Sequence, residues 1–429
     1  MRCAVAVLPA EGGDAARAVR SVEVAAEHGR GDFSEIAVLA ASAGGERDAL
    51  AAAADEAAAG GFGRLFVLTA AETAVADLFV KAAPALRVMD ALWGGAGRFA
   101  DGEHVVLERV TRLAEEEYDR FFHLALRWWI GPTHFAPPRR VLAALEGATG
   151  EAWRARYLLA LWHEGRTMKT AQALTDFHGA LPTLAAADGA HLLNVLAEEP
   201  VFMPVTFGTQ RLLLPYTGRN PVIERDHTNG RFFEEGELGH LAERLPRGLR
   251  IVDAGANTGN HTAFFARIME AATVVPLEPD ADAVAAIRRT VAANGLANVD
   301  CRHLGVAVGA AEGLMRAVFS EGGGLGATRL LADAAGTIRV RRLDDLGLGR
   351  VEFLKIDVEG MEMAVLAGAR NTIARDRPSI FVEVLDATIP DFLGFLDSVG
   401  YRIEKLFPDK THCNYLLAPA EGGRTERSR

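Results

Sequence analysis

The sequence contains few cysteines. Cys3, Cys301 and Cys413 are the three in the chain, and no two of them form a C-x-x-C pair. Their odd number and wide separation exclude a dense disulfide framework and do not give the ligand spacing of a zinc site. Residues 1–9 form an apolar run too short for a secretory signal peptide. We therefore expect a reducing, cytoplasmic setting.

Long apolar runs and an excess of basic residues are also missing. No stretch approaches the ~18 apolar residues that a membrane-spanning helix requires. The formal net charge is −11, from 57 acidic and 46 basic side chains. Because an acidic protein is repelled by phosphate backbones and by anionic lipids, we expect no nucleic-acid partner. Because no long apolar run is present, we expect no membrane span. The sequence leaves the oligomeric state open.

Apolar residues are plentiful, at 49% of the 429 residues. A chain of this length exceeds one typical core, so we predict two domains of the α/β class. The predicted parts are an α/β domain at 1–190, a proline-containing linker at 191–223, a second domain at 224–419, and a flexible polar tail at 420–429.

The first half begins with three short β-like runs, Cys3–Leu8, Glu35–Ala40 and Arg64–Leu68, separated by alanine-rich segments. Strands that alternate with helices predict a largely parallel sheet. A helical, aromatic-rich part follows between Glu115 and Leu184. Its aromatic residues are Tyr118, Phe121, Phe122, Trp128, Trp129, Phe135, Trp153, Tyr157, Trp162 and Phe177. They are either a packed core or a surface that holds sugar rings.

Residues 1–185 loosely resemble the nucleotide-sugar-binding fold of GT-A glycosyltransferases. That family usually has an Asp-x-Asp pair near a strand end, which holds a metal ion and the sugar diphosphate. The comparable place here is Thr69-Ala-Ala-Glu72, with one carboxylate. A hard cation needs several oxygen ligands. The resemblance therefore implies a domain that positions a glycan-type partner and does not transfer sugar.

A glycine-containing turn is the clearest motif of the second half. The sequence from Ile251 to Thr262 has Asp253 at the end of an apolar run, then two glycines four residues apart, then a helical pattern. This order predicts strand, tight turn and helix. Glycine lets a ligand approach the backbone, and the first amides of a helix point at that ligand. The predicted cofactor-binding residues of this turn are Asp253, Gly255, Asn257, Gly259, Asn260, His261 and Thr262. The polar ones at the helix start have capping as an alternative role.

The spacing D-x-G-x-N-x-G differs from the dinucleotide fingerprint G-x-G-x-x-G. Asp253 would repel a pyrophosphate and attract a cationic amino group. S-adenosylmethionine carries such an amino group and a sulfonium but no phosphate, so we predict it as the cofactor. Glu278 ends the next strand, where a carboxylate can accept hydrogen bonds from ribose hydroxyls. Val306 and Ala307, in the following loop, are predicted to border the adenine.

Residues 224–418 resemble the FkbM family of S-adenosylmethionine-dependent methyltransferases. The resemblance is carried by Val252–Gly259 with His261 and Thr262, by Glu278-Pro279, by Leu354–Glu362 with Val365–Ala369, and by Gly230–Glu235. It implies a Rossmann-like class I methyltransferase domain with a seven-stranded sheet. It further implies O-methylation of hydroxyls on sugars, glycolipids or other natural products, and it does not extend to the first 185 residues.

Residues 298–308 are predicted to form the third strand of this domain with its loop, and residues 351–356 the fourth strand, which an acidic set follows. Asp357, Glu359 and Glu383 are the candidate catalytic residues, because methyl transfer to a hydroxyl needs a group that removes its proton. Acids at a helix start are also favoured by the helix dipole alone. Glu362, His227 and His412 are further candidates. A divalent metal is possible there but is not predicted. The loop 322–326 is either a lid or a flexible hairpin.

The leading hypothesis is therefore a methyltransferase acting on a hydroxyl of a saccharide-containing or other natural-product acceptor, which the first domain presents. Two alternatives remain: an enzyme that both transfers sugar and methylates, and a non-catalytic, methyltransferase-like scaffold. The sequence does not identify the acceptor or the position methylated.

Overall fold

The structure, a computed structural model, describes residues 1–10, 13–39, 44–89, 91–100, 103–106, 134–150, 152–163, 167–177, 198–319, 328–333, 335–409 and 412–420. The predicted aromatic residues from Tyr118 to Trp129, the glycine-rich loop 322–326 and the tail beyond 420 lie outside these residues. The chain divides into two compact units, Met1–Val201 and Phe202–Arg429. No helix within the described ranges is long and apolar enough to cross a membrane.

The described part of the first unit is an eight-stranded sheet of order β2-β1-β3-β7-β5-β8-β4, with β6 paired to β5. Its strands are β1 (Arg2–Leu8), β2 (Glu35–Val38), β3 (Arg64–Thr69), β4 (Glu72–Ala74), β5 (Ala91–Ala100), β6 (Glu103–Val106), β7 (His134–Ala136) and β8 (Thr167–Phe177). Its helices are α1 (Ala15–Gly29), α2 (Glu46–Ala59), α3 (Leu78–Leu86), α4 (Pro138–Glu146) and α5 (Trp153–His163).

The three predicted strands of this unit are confirmed as β1, β2 and β3, which pair in parallel. Six of the seven residues of β1 are buried, as expected for a parallel strand covered on both faces. Phe66, Phe79 and Phe135 pack together in the core beside it. Tyr157 is also fully buried, and its hydroxyl lies 2.8 Å from Nε2 of His134. These two aromatic residues, Phe135 and Tyr157, are therefore core residues.

Glu72, the single carboxylate after β3, is fully buried. One of its oxygens accepts hydrogen bonds from the Thr69 backbone N–H at 2.9 Å and the Thr69 hydroxyl at 3.1 Å. The other accepts from the Thr175 hydroxyl at 2.7 Å. Donors of the protein itself therefore satisfy this carboxylate, and it ties β3 to β8.

The second unit is built on a six-stranded sheet of order β12-β11-β17-β18-β20-β19. The first four strands are parallel, β20 is antiparallel to its two neighbours β18 and β19, and β19 therefore runs in the direction of the first four. The strands are β11 (Arg250–Ala254), β12 (Thr273–Leu277), β17 (Phe353–Ile356), β18 (Ser379–Leu385), β19 (Tyr401–Pro408) and β20 (His412–Pro419). The helices of this unit are α6 (Pro221–Thr228), α7 (Glu235–Arg244), α8 (Asn260–Arg267), α9 (Ala281–Asn294), α10 (Glu362–Gly368), α11 (Arg370–Asp376) and α12 (Ile389–Val399).

Apolar cores cover both faces of this sheet. Side chains alternate along a strand, so Ile251 of β11 faces one core, with Phe264 and Phe353, and Val252 faces the other, with Leu354. Strands buried on both faces are continuous apolar runs, which is why their pattern in the sequence was clear. The α/β, Rossmann-like architecture predicted for this half is confirmed.

The third strand of this domain, predicted with its loop at 298–308, is not part of the sheet. That stretch contributes one bridge, between Val274 and Val299, and then enters a 3-10 turn at Cys301–His303. Asp300 stabilises the turn by accepting a hydrogen bond from the Arg302 N–H. The chain then forms β13 (Ala307–Val308), which belongs to a different sheet. The described sheet has six strands, and the predicted count of seven is corrected accordingly.

That other sheet has the order β13-β16-β14-β15 and includes β14 (Gly313–Phe319), β15 (Thr328–Ala332) and β16 (Ile338–Arg341). A further ladder lies in the stretch that we interpreted as a linker. There β9 (Val201–Phe207) pairs with β10 (Gln210–Tyr216), and Val205, Leu212 and Leu214 lie in the core beside Phe264. The prolines in these strands suggested a linker, but proline is tolerated in a two-stranded ladder where its nitrogen faces away from the partner.

The carboxyl ends of β11 and β17 approach each other closely at Gly255. Its φ is +78°, and a Cβ placed on it would lie 1.6 Å from the carbonyl oxygen of Asp357. No side chain fits there without moving one of the two strands. Glycine at this position is therefore a requirement of the fold.

We predict that Gly255→Ala destabilises the second unit by at least about 3 kcal/mol, because steric overlap adds to backbone strain. Gly295→Ala is the matched control, since its φ is +58° and nothing lies within 4 Å of its Cβ. It should cost only about 1 kcal/mol. Differential scanning calorimetry of the full chain measures both. Equal losses in the two variants would contradict the close approach.

Candidate functional site

The turn between β11 and α8 is held by the neighbouring strand. The N–H groups of Gly255 and Ala256 donate to the Leu277 carbonyl, at 2.9 and 3.2 Å. Gly259 and Asn257 both have positive φ values, +91° and +49°. The predicted strand, turn and helix are thus present, and the turn lies at the carboxyl edge of the parallel strands, where ligands of such sheets bind.

Asp253 does not project into solvent. It is fully buried, and its Oδ2 accepts a hydrogen bond from the Thr262 hydroxyl at 2.6 Å. Its Oδ1 lies 3.4 Å from the ammonium of Lys355. Both oxygens therefore face groups of the protein, although Oδ1 accepts no hydrogen bond.

Lys355 is the residue that the sequence reasoning missed. It lies on β17 directly opposite Asp253, with 2% of its side chain exposed. Its Nζ donates to the Gly255 carbonyl at 2.8 Å and lies 3.2 Å from Oδ2 of Asp357. Burial by itself would lower its pKa, but the charges of Asp357 and Asp253 outweigh that effect and raise the pKa above its usual range. The sequence feature that indicates this residue is a single lysine within the apolar run before Asp357.

Glu278 lies beside the turn, as predicted. One oxygen accepts from the Asn257 N–H and the other from the Asp280 N–H, both at 2.9 Å. Burial raises the pKa of Glu278 to about 7, despite these hydrogen bonds. The structure also brings the loop of Val306 and Ala307 to this place, since the Gly305 N–H donates to the Glu278 carbonyl at 2.8 Å. Val306 is half-buried there, and Ala307 is buried.

The side chains of Asn257 and Asn260 bind the segment that precedes the turn. Asn257 accepts a hydrogen bond from the Asn220 side chain at 2.9 Å. The Asn260 amide donates to the Phe233 carbonyl and accepts from the Phe233 N–H, both at 3.1 Å, and lies 2.8 Å from Nε2 of His227. Burial lowers the pKa of His227 to about 4, so this imidazole is neutral and donates to Asn260. These contacts occupy the Asn260 amide.

His261 makes a similar contact with that segment. Its Nε2 lies 3.0 Å from Oε2 of Glu234, and Oε1 of Glu234 accepts from the Asn414 amide at 2.8 Å. Glu234 has a φ of +55°, in the left-handed region, immediately before α7. Burial would raise the pKa of Glu234, but His261 and then Lys355 and Asn414 outweigh it and lower the pKa. Glu234 therefore remains a carboxylate beside the turn.

The predicted catalytic carboxylates lie at adjacent strand ends. Ile356 pairs with Val382, so Asp357 and Glu383 follow side by side. The Asp357 side chain is 32% exposed, whereas Glu383 lies deeper, 3.4 Å from Nε2 of His412. Burial and the charges of Asp357, Glu359, Glu234 and Glu362 raise the pKa of Glu383 to about 9. Glu383 is therefore protonated at neutral pH.

Glu359 and Glu362 complete this group. Glu359 is half-buried and has a φ of +53°. Glu362 is buried and accepts a hydrogen bond from the Gly360 N–H at 2.7 Å, which closes the turn before α10. Burial raises the pKa of Glu362. Among the described residues, no group of three or more His, Cys, Asp or Glu side chains is arranged to hold a metal ion.

Comparison with known protein families gives a match to the part of the chain that contains this site. The model of the FkbM methyltransferase domain matches residues 253–403. Residues 253–403 of the second unit thus match an FkbM methyltransferase domain. The match begins at Asp253 and includes the turn, Glu278, Asp357 and Glu383. The predicted resemblance is thus confirmed for this part of the chain.

Solved structures similar to the chain include methyltransferase FkbM from Methylobacillus flagellatus KT, at 21% identity over 46% of this chain, with a TM-score of 0.31. The match spans 53% of that protein's length. Precorrin-6y C5,15-methyltransferase from Geobacter metallireducens GS-15 is 16% identical over 44% of this chain and 90% of its own, with a TM-score of 0.30. TYW2 of M. jannaschii, in complex with AdoMet, is 12% identical over 51% and 86%, also with a TM-score of 0.30. No curated protein sequence matches the chain.

The protonation of Glu383 predicts a pH effect on the stability of the FkbM domain. Its pKa of about 9 lies above the ordinary value of 4.5, so the folded state holds a proton that the unfolded state loses. The contribution of Glu383 to stability therefore falls as pH rises from about 5 to about 9. The neutral variant Glu383→Gln should be increasingly more stable than the wild type across that window.

Thermal unfolding measured from pH 5 to pH 9 checks this prediction. Glu243→Gln, a change of an exposed glutamate, is the control and should follow the wild-type curve. Parallel curves for wild type and Glu383→Gln would show that Glu383 is already ionised at neutral pH.

Proposed function

We propose that this protein is an S-adenosylmethionine-dependent methyltransferase that methylates a hydroxyl group of a saccharide-containing or other natural-product acceptor. The observation that carries the proposal is the FkbM domain match, which begins at Asp253 and spans the glycine turn and both acidic strand ends. The proposal assigns the donor to the turn and the acceptor to the acidic strand ends.

The donor site is formed by the backbone from Gly255 to Gly259, together with Glu278. Each carboxylate oxygen of Glu278 accepts one backbone N–H and retains a further lone-pair direction. The ribose hydroxyls of the donor would use those directions. Val306 and Ala307, next to Glu278, border the adenine in this proposal. Asn257, Asn260 and His261 support the turn from the side of the preceding segment.

The chemistry is an in-line displacement at the methyl carbon. The acceptor oxygen forms a bond to the methyl group, the bond from carbon to sulfur breaks, and neutral S-adenosylhomocysteine leaves. The hydroxyl proton must move to a base. Asp357 is assigned that role because it is the partly exposed carboxylate, whereas Glu383 is protonated at neutral pH. Glu383 and Glu359 orient the acceptor through hydrogen bonds.

The first unit is proposed to present the acceptor. Its loose GT-A resemblance suggests a glycan-type ligand, and Glu72, whose carboxylate is bonded to threonines, supports a binding role over sugar transfer. We further propose a cytoplasmic location, which suits three free cysteines.

Donor binding gives a direct test of the Glu278 assignment. Isothermal titration calorimetry with S-adenosylmethionine should show binding to the wild type, and Glu278→Gln should weaken it about 10-fold above pH 7. The ratio of the two affinities should shrink below pH 7, where Glu278 gains a proton and becomes neutral like glutamine. Taking the ratio cancels the titration of the donor itself.

Glu312→Gln is the matched control, because Glu312 is exposed. It should bind the donor like the wild type at every pH. A ratio of one for Glu278→Gln throughout would remove Glu278 from the donor site, and a wild type that binds no S-adenosylmethionine would overturn the proposed function.

The acceptor class needs a separate experiment. Donor labelled in its methyl group is incubated with the protein and a cytoplasmic glycan extract, and labelled products are identified by mass spectrometry. We expect a label on a saccharide hydroxyl, and its loss with Asp357→Asn. Label on nitrogen or carbon would contradict O-methylation.

A further inference from the structure

A buried ammonium lies between the cofactor turn and the acidic strand ends. Nζ of Lys355 contacts the Gly255 carbonyl at 2.8 Å, Asp357 at 3.2 Å and Asp253 at 3.4 Å. These three partners belong to three functional parts: the turn, the proposed base and the strand before the turn. A single side chain therefore connects the site of the donor to the site of proton removal.

Lys355 is a fixed charge and not a base. Its side chain is 2% exposed, and the carboxylates around it keep it protonated. Two carboxylates, Asp253 and Asp357, contact this one ammonium, and the charge of Glu234 also acts on it. Glu362 and Glu383, from the neighbouring helix and strand, interact with the charge of Asp357. Asp253 is the buried member of the contacting pair and Asp357 the partly exposed one.

The Lys355 contact also fixes the direction of the turn. Gly255 is held from one side by its N–H bond to Leu277 and from the other by the ammonium on its carbonyl. The next links in the turn are the Asn257 N–H and Glu278. A change in the direction of the Gly255 carbonyl would rotate the following peptide groups, which the proposed function assigns to the donor.

We propose that Lys355 is a positioning residue for methyl transfer, whose ammonium holds the Gly255 carbonyl in place and provides the counter-charge of Asp357, the proposed base. This inference rests on the proposed function. It assigns to Lys355 two separable effects: one on donor affinity, through the turn, and one on the pH dependence of turnover, through Asp357.

Lys355→Met removes the charge and keeps an unbranched apolar chain. Asp357 then loses its counter-charge, so proton removal becomes less favourable and the acidic limb of the turnover profile moves to higher pH by at least one unit. Donor affinity falls about 10-fold. Buried Asp253 becomes an unpaired charge in the folded state, so the stability lost relative to the wild type grows as pH rises.

The experiment combines that variant with Lys355→Met/Asp253→Asn, in which the buried orphan charge is also removed. The double variant should regain much of the thermal stability, but its acidic limb should remain displaced, because Asp357 still lacks its cation. Lys405→Met is the control, since Lys405 is exposed on β19. Calorimetry with S-adenosylmethionine, thermal unfolding and methyl transfer from labelled donor are measured from pH 6 to pH 9.

The outcomes separate the two proposals. A wild type that binds no donor overturns the proposed function and this role with it. A wild type that binds, combined with a double variant of wild-type affinity and wild-type pH profile, overturns the role of Lys355 alone. Loss of folding in both Lys355 variants also overturns it, in favour of a purely structural ion pair. A displaced acidic limb in the folded double variant, with Lys405→Met unchanged, supports it.

Discussion

The structure of the second unit depends on one ammonium that is buried among carboxylates at the ends of the central strands. Lys355 and Asp253 are paired across β11 and β17 in a part of the sheet covered by apolar residues on both faces. Taking either charge out of water without the other would cost several kcal/mol. The Thr262 hydroxyl donates to Asp253, and the ammonium donates to the Gly255 carbonyl and contacts Asp357, so the pair has further polar partners. The same contacts hold the glycine turn, so they stabilise the strand ends and also determine the shape of the site.

A second set of contacts holds the turn from outside the sheet. Asn257, Asn260 and His261 each contact a residue between 220 and 234. The segment before β11 is therefore part of the site wall, although it lies outside the matched domain at 253–403. Because Asn260 uses its amide on Phe233 and His227, its contribution to a ligand is indirect. The polar side chains at the start of α8 are explained by this packing more fully than by capping.

Local patterns predicted the parts of the fold that depend on neighbours in sequence. The apolar runs of β11 and β17 and the glycines of the turn were visible because each needs only its own segment. The pairing of Lys355 with Asp253 was not visible, since it depends on strand register across 102 residues. The ladder of β9 and β10 was mistaken for a linker because proline counts against a strand locally, whereas packing of Val205 and Leu212 decides the outcome. The strand predicted at 298–308 is absent from the sheet for a local reason, since the 3-10 turn that Asp300 stabilises interrupts it.

The acidic group also shows why residue type alone does not assign catalytic roles. Asp357, Glu359 and Glu383 are all carboxylic acids at one edge of the sheet, and their residue types do not distinguish their roles. Carboxylates that share a half-buried site repel one another, so they are not all ionised at once. The Lys355 ammonium lies 3.2 Å from Asp357, while burial and its acidic neighbours keep Glu383 protonated. In the proposed function, Asp357 takes the proton of the acceptor hydroxyl and Glu383 donates a hydrogen bond in the same place. That division is what an acceptor hydroxyl requires, since one group must take its proton while another orients its oxygen.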